Sequence, residues 1–185
     1  RVSALIGLSE VGVVEAGDAR HARRAQARIK ALAVLYDQLY ANLDAARVDL
    51  AVLFRDYAAR FGGLSSGWLD VDCSVSGNAC GDVEPTIRVC LALNELLFAL
   101  ADAAEAPVTA SLDVDLSERS RLTIRLSRSA GSGDGELRSE RFVLAGRILE
   151  RIGGSLVEDG PASWLIRAPV AEPAPPRETG GYSPS

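Results

Sequence analysis

The 185-residue chain contains no methionine, one histidine (His21) and three cysteines. With arginine at position 1 and no Met, it is expected to be a fragment of a longer protein. Cys73, Cys80 and Cys90 are odd in number and show no Cys-x-x-Cys spacing, which argues against a metal site and against a disulfide framework. Cys90 lies on an apolar helix face and reads as a small buried hydrophobe. Cys73 and Cys80 are expected to face each other across a hairpin as a reduced pair in a cytoplasmic protein. No apolar run approaches the ~20 residues that a membrane-spanning helix needs, and no signal-peptide pattern is present. Twenty Lys and Arg against 25 Asp and Glu leave a net charge of -5. The basic residues are scattered, so the basic face that nucleic acid requires is missing.

An apolar share of 48% is enough for a core, and the length suits one ordinary domain or two small ones. Val2, Leu5, Leu8, Val11 and Val14 recur on helical spacing, and Gly17-Asp18 offers a turn. A second helix is expected to run to about Asn42. Its seam, Ile29, Leu32, Tyr36, Leu39 and Leu43, alternates steps of three and four as in a helical bundle. Arg20, Arg23, Arg24, Arg28 and Lys30 read as a solvated face of that helix. Such a helical hairpin has too little core of its own, and dimerisation into a four-helix bundle would bury both seams. A further helix is expected from Val48-Asp49-Leu50 to Phe61, with the Asp49 carboxylate at its N-terminus, closed by Gly62-Gly63. The linker at residues 64–67 is the expected domain boundary.

From Trp68 the rhythm becomes alternation, with Leu69, Val71, Cys73 and Val75 on one face: a strand. A turn at Ser76-Gly77-Asn78 leads through a short extended piece to Pro85, and a helix then runs to about Ala104. Strands are expected at Val108–Leu116 and Arg121–Ser127, joined through Ser117-Glu118-Arg119-Ser120. A Gly/Ser loop follows at residues 129–135. A helix from Ser139 to Ile152 ends at Gly153-Gly154, and a last hairpin at residues 155–170 turns at Asp159-Gly160-Pro161. The Pro/Gly/Ser-rich residues 171–185 read as a disordered tail. The expected fold class is α+β: a helical module over residues 1–63, then an α/β sandwich over 68–170 with helices on one face of a mixed sheet.

The stretch Leu91-Ala92-Leu93-Asn94-Glu95-Leu96-Leu97-Phe98-Ala99-Leu100-Ala101-Asp102-Ala103 resembles the nucleotide-binding helix of histidine-kinase ATPase domains, Leu-x-Leu-Asn-Glu-Leu-x-x-Asn-Ala-x-Lys-His-Ala. Residues 28–40, from Arg28-Ile29-Lys30-Ala31-Leu32-Ala33 to Leu39-Tyr40, are similar to the Arg-Ile-x-Ala-Leu-Ala-x-x-His-x-x-Leu-Tyr of HWE-type sensor kinases. Together with Val48-Asp49-Leu50, these pieces resemble the transmitter region of that family in order and spacing. The resemblance implies a dimerisation and phosphotransfer hairpin followed by a Bergerat-fold, GHKL-like ATPase domain. It places the phosphoacceptor histidine just before Arg1, where the family has His-Arg-Val-Lys-Asn and this chain continues Arg1-Val2-Ser3-Ala4.

Where the family keeps its nucleotide chemistry, the chain departs from it. The second Asn of the helix motif, which holds Mg²⁺ in the family, is Ala99. A methyl group cannot serve a hard cation that needs oxygen donors. The Asp-x-Gly-x-Gly that reads adenine is replaced in Ser127-Arg128-Ser129-Ala130-Gly131-Ser132-Gly133, which keeps Gly131 and Gly133 but no carboxylate. The Gly-Leu-Gly-Leu that cradles phosphate at a helix start is replaced by Glu140-Arg141-Phe142-Val143-Leu144. Asn94, Glu95, Ala99 and Gly131 are therefore expected to be vestiges of a site that has lost ATP and Mg²⁺, with no metal and no cofactor.

His21, as a relocated phosphoacceptor, sits at the wrong end of the hairpin and reads as an exposed polar residue beside Arg20 and Arg23. Asn94 and Glu95 are expected to stabilise the helix and its packing, and Trp68 and Trp164 to be core or rim aromatics. Three functions are weighed. The first is a homodimeric two-component protein without autokinase activity, acting as a histidine phosphotransferase or as a pseudokinase that binds a response-regulator receiver. The second is an active sensor kinase with a divergent ATP lid, for which Asn94, Glu95 and Gly131 speak and against which Ala99 and Glu140 speak. The third is a sequestering module without phosphoryl chemistry.

Overall fold

The computed structural model describes residues 26–27, 29–37, 47–64, 69–103, 107–118, 121–129, 140–160 and 162–169. Residues 26–27 and 29–37 are helical (α1). Then follow β1 (Arg47–Asp49), α2 (Leu50–Leu64), β2 (Leu69–Gly77), β3 (Cys80–Asp82), α3 (Val83–Ala103), β4 (Val108–Leu116), β5 (Arg121–Arg128), α4 (Glu140–Glu150), β6 (Ser155–Glu158) and β7 (Ser163–Pro169). The expected helix at residues 1–15, the seam positions Leu39 and Leu43, Trp68 and the tail lie outside the described residues.

The main sheet has the order β2-β4-β5-β7-β6. β2 runs parallel to β4, and the other neighbours are antiparallel. A parallel neighbour needs a long crossover, and α3 supplies it. Alternation decides the faces: Val108, Ala110, Leu112, Val114 and Leu116 of β4 and Leu122, Ile124 and Leu126 of β5 are buried. Their intervening residues Ser111, Asp113, Asp115, Arg121 and Arg125 are exposed. One face thus meets the helices and the other meets water, as strict alternation requires.

Several boundaries follow from capping. The Asp49 carboxylate accepts the Val52 amide at 3.0 Å, which is the N-cap geometry that opens α2. α4 closes with Gly153 at φ 72°. There the Gly153 amide bonds the Glu150 carbonyl at 3.0 Å and the Gly154 amide bonds Leu149 at 2.9 Å. This double bond is a Schellman cap, whose left-handed residue favours glycine. At the β4–β5 hairpin the Ser117 amide reaches the Asp115 carboxylate at 2.9 Å. Hydrogen bonds from Ser117, aided by one from Ser76, hold that carboxyl below its ordinary pKa.

Three expectations are corrected. Residues 47–49 are a strand before α2, paired with β3 in a separate two-stranded ribbon; three residues are too short to show a period. α3 begins at Val83, with Pro85 inside its first turn, where a missing N–H is harmless. Cys73 and Cys80 do not face each other across a hairpin, because β2 pairs with β4 and β3 with β1. All three thiols are free. Leu50, Phe54, Tyr57 and Phe61 of α2 share one hydrophobic core with Leu93, Leu97 and Phe98 of α3 and Leu69 of the sheet.

α1 joins the same core by a different face from the expected seam. Ala31 and Leu35 are fully buried, while Ile29 is 39% exposed. Leu32 and Tyr36 are half-buried. An i, i+4 stripe of Ala27, Ala31 and Leu35 packs inward, leaving the regular seam beside it partly open.

Cys90 is fully buried, and burial pushes its thiol up to about 12 from an ordinary 9.0. The folded state holds this proton more tightly than the unfolded chain does. Its contribution is therefore fully present below pH 9 and lost between pH 9 and 12, at up to about 1.4 kcal/mol per pH unit. Urea titrations at pH 8, 9 and 10 are expected to show stability falling above pH 9 in the wild type and falling less steeply in Cys90→Ala. Parallel curves would rule out this thiol as the cause.

Candidate functional site

The middle of α3 is buried almost all round. Ala92, Leu93, Asn94, Leu96, Leu97, Phe98, Ala99, Leu100 and Ala101 are all less than a tenth exposed. α2 lies against one side, where Phe61 meets Phe98 edge-on with ring centroids 5.1 Å apart. α4 packs along another side, through Ala145 and Leu149. The partly exposed Leu91, Glu95 and Ala103 recur at multiples of four residues, and the buried Ala99 falls on the same stripe.

Asn94 and Ala99 have opposite fates on this helix. Asn94 is wholly buried, and its Oδ1 accepts the Tyr57 hydroxyl at 2.9 Å. Among the described residues its Nδ2 has no hydrogen-bond partner. Burial, with Cys90 and Glu95 adding to it, raises the Tyr57 pKa well above the usual phenol value, so Tyr57 stays a donor. Asn94 thus ties α3 to α2 and is not directed at an open site, in keeping with a packing role. Tyr57 was not singled out from the sequence. Its spacing with Phe54 and Phe61 marks a core face but does not reveal the polar partner 37 residues away.

Removing the hydroxyl leaves Asn94 with neither polar atom satisfied. Tyr57→Phe is expected to cost about 1–3 kcal/mol, read as a shift of the urea midpoint. A loss below about 0.5 kcal/mol would mean that the bond adds nothing net.

Ala99 sits on the outward stripe, yet is only 3% exposed. The stripe offers a hard dication one carboxylate, the half-buried Glu95, and otherwise methyl groups. This donor set does not fit Mg²⁺, which wants a near-complete shell of oxygens. Among the described residues, no three His, Cys, Asp or Glu side chains form a metal cluster.

Ser129 lies two residues before Gly131, at the end of β5. Its amide and hydroxyl both donate to the Thr109 carbonyl, at 3.0 Å and 2.9 Å. The strand end is thereby fastened to the backbone of β4 through both its amide and its side chain. α4 begins at Glu140, and its first turn contains no glycine. Phe142, in that turn, packs against Trp164 with ring centroids 5.0 Å apart and ring planes tilted by 44°. Gly131, His21 and the position before Arg1 are not among the described residues.

No protein-family model and no curated protein matches this sequence. Solved structures do match. The histidine kinase domain of the blue-light activated histidine kinase EL346 from Erythrobacter litoralis is similar with a TM-score of 0.59. That match is 16% identical and covers 80% of this chain and 74% of the other. A structure of the same kinase with a longer chain matches with a TM-score of 0.59 and 17% identity, over 78% of this chain and 53% of that one. The present chain therefore spans about half of that longer kinase. At these identities the likeness shows a common fold, that of histidine kinase domains.

Proposed function

We propose that this chain is a two-component signalling module with a decayed ATP site, acting as a histidine phosphotransferase or as a pseudokinase that binds a response-regulator receiver. The observation that carries the reading is Ala99, a 3%-exposed methyl group at the metal-ligand position of a helix whose neighbouring Asn94 is engaged by Tyr57. Ser129 and Glu140, at the adenine-reading and phosphate-cradling positions, support it. Three elements of one site have changed while the fold that presents them is kept. A single changed ligand could be compensated by a neighbour; here the carboxylate, the amide and the glycine cradle are all replaced.

The homodimer is part of the proposal. The half-open seam of Ile29, Leu32 and Tyr36 is the surface that pairing with a second copy would close. Among the described residues no helix is long and apolar enough to cross a membrane.

Titration with a fluorescent ATP analogue in the presence of Mg²⁺ tests the loss of nucleotide binding. No saturable binding is expected, and micromolar, Mg²⁺-dependent binding would overturn the reading in favour of an active kinase. Incubation of the natural protein with a phosphorylated receiver domain then separates the two roles. Acid-labile label appearing on the protein marks a phosphotransferase. An altered lifetime of the receiver's phosphate without transfer marks a binding pseudokinase, and no effect on the receiver would sink both.

A further inference from the structure

At the Arg121 end of β5 lies a cavity of about 350 Å³ lined by Arg121, Gly153, Ser155, Arg167, Ala168 and Pro169. It is remote from the Ser129 end of the same strand, because eight strand residues extend about 23–26 Å. The sheet register explains its composition. Arg121 is opposite Pro169, and Arg167 is opposite Thr123 on one side and Ser155 on the other. The two arginines are therefore diagonal neighbours on the water-facing side of β5 and β7, with Cα atoms about 7–8 Å apart.

The charges there are poorly balanced in a chain that is acidic overall. Among the described residues Arg121 pairs only with Glu118, at 4.0 Å, and both side chains of that pair are more than half exposed. Arg167 has no ion pair among the described residues. No acidic side chain lines the cavity. Arg125, two residues along the same face, is by contrast paired with Asp159 at 3.0 Å. The Schellman turn at Gly153-Gly154 forms one wall and is held against β7: a side chain at Gly154 would meet the Arg167 carbonyl oxygen at 2.7 Å.

We propose that this cavity binds the phosphoryl group of a small molecule, clamped between the Arg121 and Arg167 guanidiniums with the Ser155 hydroxyl as a further donor. Two planar forks presenting paired N–H groups suit a tetrahedral oxyanion better than a point charge would. An anion between them also relieves the mutual repulsion of two cations on neighbouring strands, of which only Arg121 has a carboxylate partner among the described residues, at 4.0 Å. The volume is at the lower end of small-molecule pockets and exceeds what orthophosphate alone fills. The site is independent of the nucleotide position on α3 and does not rest on the signalling reading.

The test is an ¹⁵N–¹H NMR titration of the chain with inorganic phosphate and, separately, with glycerol 3-phosphate, at ionic strength held constant with chloride. The expected result is saturable shifts confined to Arg121, Gly153, Ser155, Arg167 and Ala168. They should weaken at least tenfold in Arg167→Gln, weaken less in Arg167→Lys, and stay unchanged in Arg125→Gln. Tighter binding of glycerol 3-phosphate would identify an organic phosphate as the ligand class, and equal affinities would identify free phosphate. Shifts that grow linearly without saturation for both probes, or that persist in Arg167→Gln when the rest of its spectrum matches the wild type, would overturn the proposal.

Discussion

Replacing Phe61 with alanine is expected to destabilise the helices and the sheet together, by about 3–5 kcal/mol. Phe61 is fully buried. Its ring lies 5.1 Å from that of Phe98 in an edge-on arrangement and 5.8 Å from that of Tyr57. Truncation removes the transfer energy of the ring, leaves a cavity between two helices, and deletes aromatic pairs that add about 0.5–1.5 kcal/mol beyond their area. Because α2, α3 and the sheet share one core, the loss should be global. Hydrogen exchange of the β5 and β7 amides should accelerate by the same factor as that of the α2 amides, with one urea transition shifted as a whole. If α2 amides lost protection while β5 and β7 kept theirs, residues 47–64 would be a separate folding unit after all.

On the proposed reading, placing an asparagine at position 99 alone is expected to harm the protein without conferring nucleotide binding. Ala99→Asn inserts an amide at a position 3% exposed, where an unpartnered polar group costs about 1–3 kcal/mol and the extra volume adds strain. Mg²⁺-dependent binding of an ATP analogue should remain absent, since Ser129 still supplies no carboxylate and α4 still opens on Glu140. The pair of readouts is decisive: a stable variant that gains micromolar, Mg²⁺-dependent binding would show that one residue had silenced an otherwise intact site. An unstable, non-binding variant fits the proposed loss of the site. Adding Ala99→Ser, which places a smaller hydroxyl there, separates the volume effect from the polarity effect.

Much of the sheet was legible because strand alternation is a local signal. Val108–Leu116 matches its expected bounds, and Asp49 caps its helix as its position implied. The seam of α1 shows the limit of such signals. Ile29, Leu32 and Tyr36 form the more regular pattern, yet Ala31 and Leu35 face the core. Periodicity identifies a face able to be buried but not the surface that will bury it. The β1–β3 ribbon was missed for the same reason, since three-residue strands are defined by their partner and not by their own period.

The amino-acid sequence by itself determined the chemistry that position 99 can offer, the absence of a carboxylate before Gly131 and the lack of glycine at the start of α4. Donor atoms are a property of residue type, and no packing can supply an oxygen that the side chain does not have. Only the tertiary structure decided that Asn94 is spent on Tyr57, that α2 belongs to the core of the sheet, and that Arg121 and Arg167 share a cavity. The Asn94–Tyr57 bond and the arginine pair each join residues 37 or more positions apart, and strand register and helix packing are choices that local patterns leave open.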